Sequence, residues 1–301
     1  MSAIVAAAAL VAAAANRPHV FPQVLPEDEP TILANVGSWK AASAGKTRRL
    51  LVVSSEHAAE WHAEAVSYAL RSLACACVKG NWRFDVADFS VLAETDLLKR
   101  YDAIVLNNCT CAKVSPFPAM EGNIREFVAG GKGIVLIHSA LDAFHDSPSL
   151  QRMFGGAYWG HPWTVCGEKW GILNESPDHP LNACFGGQRK LKFEDELYQH
   201  LSPQYDRSSV RVLLSVDLAD AASSAALARY ERRNGSGKVR ADRDFAVSWC
   251  RDVGRGRVFY TTFGHDRKAF LDPLRLHHIL DGVRYALGDF AAIDVRKGEG
   301  I

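Results

Sequence analysis

Residues 131–140 read GKGIVLIHSA, and the unbroken apolar row Ile134, Val135, Leu136, Ile137 inside that stretch decides the fold class. A strand with one wet face alternates apolar and polar side chains. A strand apolar at every position is buried on both faces, as in parallel sheets covered by helices. The row Ala103, Ile104, Val105, Leu106 reads the same way. Between the two rows, residues 119–129 carry a helical pattern that stops at Gly130 and Gly131, a C-terminal cap two residues before the next strand.

Working outward from this βαβ unit, strands are expected at 50–54, 84–89 and 101–107, with a helix over 58–75. Downstream, 165–173, 210–216, 246–250 and 258–262 read as further strands, and an amphipathic helix over 273–287 is ended by Gly288. The expectation is one α/β domain over 48–289, a parallel sheet flanked by helices. Residues 1–47 are an Ala/Pro-rich appendage and 290–301 a tail; 16–47 read as a linker or wrapping arm and 219–244 as a mobile surface insertion. The apolar run 4–15 is too short to span a bilayer, and its first basic residue, Arg17, lies on the wrong side for a secretory signal. A retained Ala-rich helix and a cytoplasmic location are expected, cleavage being the alternative, and no membrane partner.

The 301 residues are 48% hydrophobic and 23% charged, an ordinary globular composition. With 35 Lys+Arg against 34 Asp+Glu the net charge is +1, which gives no field for gripping nucleic acid. Seven cysteines cannot all pair, so free thiols are expected instead of a disulfide scaffold. The pairs Cys75/Cys77 and Cys109/Cys111 lack the spacing of a structural zinc site. No dinucleotide or nucleotide phosphate loop is present; the Lys46 stretch that mimics one precedes the first strand instead of following it. Homo-oligomerisation is compatible with this sequence.

Ligands of open parallel sheets bind at the carboxyl ends of the strands, where loops and helix N-termini converge. The strand exits are Ser54 to His57, Asn107 and Asn108, His138 and Ser139, and Gly264 to Asp266. Two further polar clusters are Trp159 to Pro162 and Glu194 to Tyr198. His138, His161 and His265 are therefore expected around one cleft, with Asp195 or Glu196 in its wall, as acid/base groups or metal ligands. Trp159, Trp163 and Trp249 offer faces on which a sugar ring could stack.

The segments GKGIVLIHSA (131–140), FGGAYWGHPW (154–163), DELY (195–198), AVSW (246–249) and GRGRVFYTTFGHD (254–266) followed by LHHILDGVRYALG resemble, in order and spacing, the ThuA-like family named for trehalose utilisation. The resemblance covers about 48–289. It implies a variant of the flavodoxin-like fold of class I glutamine amidotransferases and a role in disaccharide utilisation, with 3-keto sugar derivatives as substrates. Carried across, it points to His138, His161, His265, Asp195 and Glu196 as catalytic, and to Ser139, Asn108, Trp159, Tyr198, Trp249 and Asp266 as substrate-binding. The first loop departs from relatives that carry a Gly-rich stretch there, which leaves His57 unassigned. The turn Ile137-His138-Ser139 holds no cysteine where a glutaminase of this fold needs its nucleophile, so that activity is excluded. A glycosidase, a keto-sugar isomerase or lyase, and a sugar-binding module remain, with small-molecule carbohydrate as the ligand. A rim rich in histidine suits the isomerase or lyase, with or without a divalent metal.

Overall fold

The computed structural model describes residues 22–41, 45–55, 58–110, 118–290, 293 and 295–297. The apolar run 4–15, His57 and Cys111 lie outside the described residues. The first half of the chain runs α1 (Glu29–Ser38), β1 (Arg48–Ser54), α2 (Ala58–Trp61), α3 (Ala63–Gly80), β2 (Trp82–Asp88), α4 (Thr95–Leu98), β3 (Ala103–Asn107), α5 (Pro118–Ala129) and β4 (Gly133–Ile137). It continues α6 (Pro148–Phe154), β5 (Tyr158–Trp163), β6 (Trp170–Asn174), β7 (Lys190–Phe193), β8 (Leu197–His200) and β9 (Arg211–Val216). The last part is α7 (Ala221–Asn234), β10 (Ala246–Val253), β11 (Gly256–Thr261), α8 (Lys268–Leu271), α9 (Pro273–Leu287) and β12 (Arg296–Lys297).

The main sheet has the order β2-β1-β3-β4-β11-β10-β9-β6-β7. Its β2-β1-β3-β4-β11 half is parallel throughout. The β10-β9-β6-β7 half joins it by antiparallel pairs, so the parallel sheet expected over the whole domain is confined to the first half. The reason is local: β10 and β11 are joined by the tight turn at Gly254, φ 59°, which leaves no room for a crossover helix. All five residues of β4 are buried, and its side chains alternate between two cores. Val135 and Ile137 join the cluster under α3 and α9, while Ile134 and Leu136 join the one under α5 and α6. A two-stranded sheet, β5 with β8, stands apart from the main one.

Two expected irregular segments prove to be helical. Within 16–47 lies α1, whose Ile32 and Val36 are buried and whose end is fixed by the Trp39 indole donating to Asp281 at 3.0 Å. Within 219–244 lies α7, capped by the Asp220 carboxylate on Ser223 N–H. Its buried stripe is only Ser223, Ala226 and Leu227, too narrow to register as a hydrophobic period. The strand expected at 165–173 begins only at Trp170, and the GHP motif ahead of it belongs to β5. No described helix is long and apolar enough to cross a membrane.

Candidate metal and acid/base site

Strand register builds the site. Asn107 on β3, Ile137 on β4 and Thr261 on β11 are aligned neighbours at the carboxyl edge, so Asn108, His138 and Thr262 emerge side by side. His138 takes a left-handed conformation, φ 51°, at the turn that leaves β4. Its Nδ1–H donates to the Thr262 carbonyl at 2.5 Å, which fixes the tautomer and leaves Nε2 unprotonated, as an acceptor for the Tyr198 hydroxyl at 2.8 Å. Gly264, φ 119°, lets the following loop fold over the strand end, since a Cβ there would meet Ile137 Cγ2 at 2.9 Å.

Around the unprotonated His138 Nε2 also stand His265 Nδ1 at 3.3 Å and Glu196 Oε2 at 3.5 Å. His265 Nδ1 is in turn 3.5 Å from the same carboxylate oxygen. His62 completes the group, its ring 4.9 Å from that of His138 and 5.1 Å from that of His265. One ligand atom from each of His62, His138, Glu196 and His265 lies within 4.8 Å of all the others. Donor atoms about 2.0 to 2.2 Å from one tetrahedral ion stand about 3.3 to 3.6 Å apart. The His138, His265 and Glu196 atoms already have that spacing, so three imidazoles and one carboxylate fit a divalent transition metal, and an ion that also meets substrate would need a coordination number above four. The His62 Nδ1 is engaged by the Thr110 hydroxyl at 3.0 Å, which leaves its Nε2 for the cluster.

The electrostatics favour a cation here. Burial, reinforced by His138 and His265, drives His62 down to about 2, so it stays neutral. Burial would raise the Glu196 carboxyl, but its contacts with His138, His161 and His265 hold it far below the usual carboxylate range. His161, on β5, donates Nδ1–H to Glu196 Oε1 at 2.7 Å, and that hydrogen bond raises its basicity. Burial opposes the charged form of His265, yet the contacts with Glu196 leave it raised. The Tyr198 hydroxyl sits 2.8 Å from His138 Nε2 and is pushed well up by burial.

His138, His161, His265 and Glu196 are thus brought together, with Tyr198 beneath them. Asp195 is not among the converging donors. Its buried carboxylate accepts from the N–H groups of Glu196 (3.0 Å), Gly264 (3.2 Å) and His265 (3.2 Å) and pairs with Arg275 at 3.2 Å. Asn108 and Ser139 are buried behind the histidines, Ser139 held by Thr110 at 2.8 Å and Asn108 by the Gly264 carbonyl at 3.2 Å. Asp266 is half-buried and caps Lys268 N–H at 2.8 Å, and Trp159 is half-buried on β5. Trp249 has no free face: it is fully buried between His200, Tyr205 and Tyr260, with its N–H on the Phe154 carbonyl at 2.9 Å. Trp163 is buried against Phe245. Cys109 is buried with its sulfur on the Val53 carbonyl at 3.2 Å.

Sequence reasoning missed two residues. His62 lies inside the expected 58–75 helix and not at a strand exit, although the first turns of that helix face the same edge. Tyr158 precedes the GHP motif; its ring is 4.7 Å from Tyr198 and 6.2 Å from His161.

A family model described as ThuA, trehalose utilisation, matches residues 49–286. A ThuA-like protein from Bacteroides uniformis superposes with TM-score 0.59 at 18% identity, over 83% of this chain and 95% of that one. Another, from Parabacteroides merdae, gives 0.51 at 17% identity, over 81% and 91%. A β-galactosidase from Bacillus circulans sp. alkalophilus gives 0.50 at 14% identity, over 80% of this chain but 31% of that one. At these identities the superpositions speak for the fold alone. No curated protein sequence matches the chain.

Proposed function

Because the chain belongs to the ThuA trehalose-utilisation family, we propose that it is an enzyme acting on a keto-sugar derivative of a disaccharide by proton transfer beside a carbonyl at a divalent metal centre. The observation that carries this reading is the convergence of His62, His138, Glu196 and His265, whose ligand atoms lie within 4.8 Å of one another. When bound, the ion would supply positive charge next to the substrate's carbonyl oxygen.

The chain's own residues account for the proton. Glu196 Oε1 takes the Nδ1–H of His161 at 2.7 Å, which leaves the His161 Nε2 lone pair free on a side chain 44% exposed. That nitrogen is the base: it removes a proton from the carbon beside the carbonyl, the C–H electron pair moves into the carbon–carbon bond, and the carbonyl π pair moves onto oxygen. The enediolate so formed is reprotonated for isomerisation, or expels a group on the adjacent carbon for elimination. His161 returns the proton in either course. Glu196 stabilises the imidazolium in between, since its carboxylate stays ionised. The half-buried Tyr158 limits the water that reaches this face.

Turnover of 3-ketotrehalose, with metal content measured on the same samples, tests the proposal. Wild type should bind close to one equivalent of divalent metal, and His161→Ala should keep the metal while losing about 10² to 10⁴-fold in kcat. Saturable sugar binding without turnover in the metal-loaded wild type would replace the enzyme with a binding module.

A further inference from the structure

We infer that Trp61 is the stacking platform for the second, non-reacting sugar ring of the substrate, which makes the protein selective for disaccharides over monosaccharides. This rests on the carbohydrate reading above and adds a subsite to it. The chain has seven tryptophans. Trp39, Trp82, Trp163, Trp170 and Trp249 are buried and Trp159 is half-buried, whereas Trp61 is 68% exposed. An indole left in water forgoes the burial that its area would otherwise gain.

Its position supplies the reason. Trp61 ends α2, the single turn that follows β1, and it immediately precedes His62 of the cluster. The turn is fixed by Ala58 N–H on the Ser55 carbonyl at 3.1 Å and by His62 N–H on the Ala58 carbonyl at 2.7 Å. Helical side chains lean toward the helix N-terminus, which here is the carboxyl edge of the sheet where the histidines converge. His62 is 6% exposed and belongs to the cluster, and Trp61, one residue before it in the turn that leaves the same sheet edge, is open to solvent.

A macromolecular partner fits less well. An interface needs contiguous apolar area, and the other exposed large apolar side chains among the described residues, Leu33, Val78 and Val86, each lie on a different element. Exposed Val78 lies toward the far end of α3, which at 18 residues is about 27 Å long. An exposed flat aromatic next in sequence to a polar reaction centre suits a pyranose, whose C–H face covers the indole while its hydroxyls stay in water.

The test is calorimetric titration of wild type, Trp61→Ala and Trp61→Phe with trehalose and with glucose, neither of which carries the 3-keto group of the proposed substrate. Wild type should prefer trehalose. Trp61→Ala should weaken trehalose about tenfold with less than a twofold effect on glucose, and Trp61→Phe should fall between, all with unchanged metal content. Equal losses on both sugars, no loss on trehalose, or a wild type that binds neither sugar or shows no disaccharide preference would overturn the platform. A wild type that binds trehalose with the expected Trp61 dependence yet never turns over 3-ketotrehalose would overturn the enzymatic reading and leave the platform standing.

Discussion

His138 holds a conformation that side chains with a Cβ adopt reluctantly, φ 51°, at the place where this fold turns sharply out of its central strand. The left-handed region costs a non-glycine residue about 1 to 2 kcal/mol, a strain that persists only where the surroundings fix it. Here the Thr262 carbonyl and the Tyr198 hydroxyl, at 2.5 and 2.8 Å, hold the two ring nitrogens in place. His138→Gly and His138→Ala delete the same imidazole and abandon the same partners, so their difference isolates the backbone term. Glycine should therefore be the more stable variant by about 1 kcal/mol in denaturant unfolding, while both lose the metal. At this scale much of the site is legible in the sequence, because His138 directly follows a strand of recognisable apolar character and His265 lies in the loop that leaves another. His62 is not, since nothing in a run such as Trp61-His62-Ala63 distinguishes a helical histidine turned inward from one turned to water.

The elements that carry the cluster are held in register by a group outside it. Asp195 accepts the backbone N–H of Glu196 on one side and those of Gly264 and His265 on the other, which ties the loop before β8 to the loop after β11. Arg275 on α9 balances its charge and also grips the Glu194 and Lys268 carbonyls, at 2.6 and 2.7 Å. Asp195→Asn keeps the shape but weakens those contacts, so Glu196 and His265 are positioned less well. Partners of metal ligands are typically worth 10 to 100-fold in affinity, and a loss of that size is expected in chelator competition. An affinity equal to wild type would show that the loops hold themselves. Elements are also where the sequence misleads. The parallel half is legible because doubly buried strands must be apolar throughout, whereas α1 and α7 each bury only a narrow stripe and leave a polar composition that reads as loop. The antiparallel half is hidden for a different reason, since strand direction depends on connections and not on side-chain pattern.

Over the whole molecule, acid sensitivity follows in good part from two buried histidines outside the ligand cluster. His200 is fully buried among Trp249, Tyr205 and Tyr260, and burial, aided by the Arg240 charge, lowers it to about 3. His278 on α9 lies between the Leu181 carbonyl at 2.9 Å and the Ser248 hydroxyl at 2.8 Å, and burial lowers it to about 4. Both are neutral in the folded protein, whereas in the unfolded chain they titrate near 6.5. Between these values the unfolded state binds more protons, so their contribution is present in full above about pH 6.5 and is lost as the pH falls toward 4. The combined effect is on the order of several kcal/mol, enough to consume much of a typical domain's stability. Unfolding midpoints measured from pH 7.5 to 4.5 should fall steadily below about pH 6.5. His200→Phe, which keeps an aromatic ring in the same aromatic surroundings, should flatten that fall by close to one proton's worth of slope. An unchanged slope in His200→Phe would place the acid response elsewhere, with His278 and then the buried His62 the next to test.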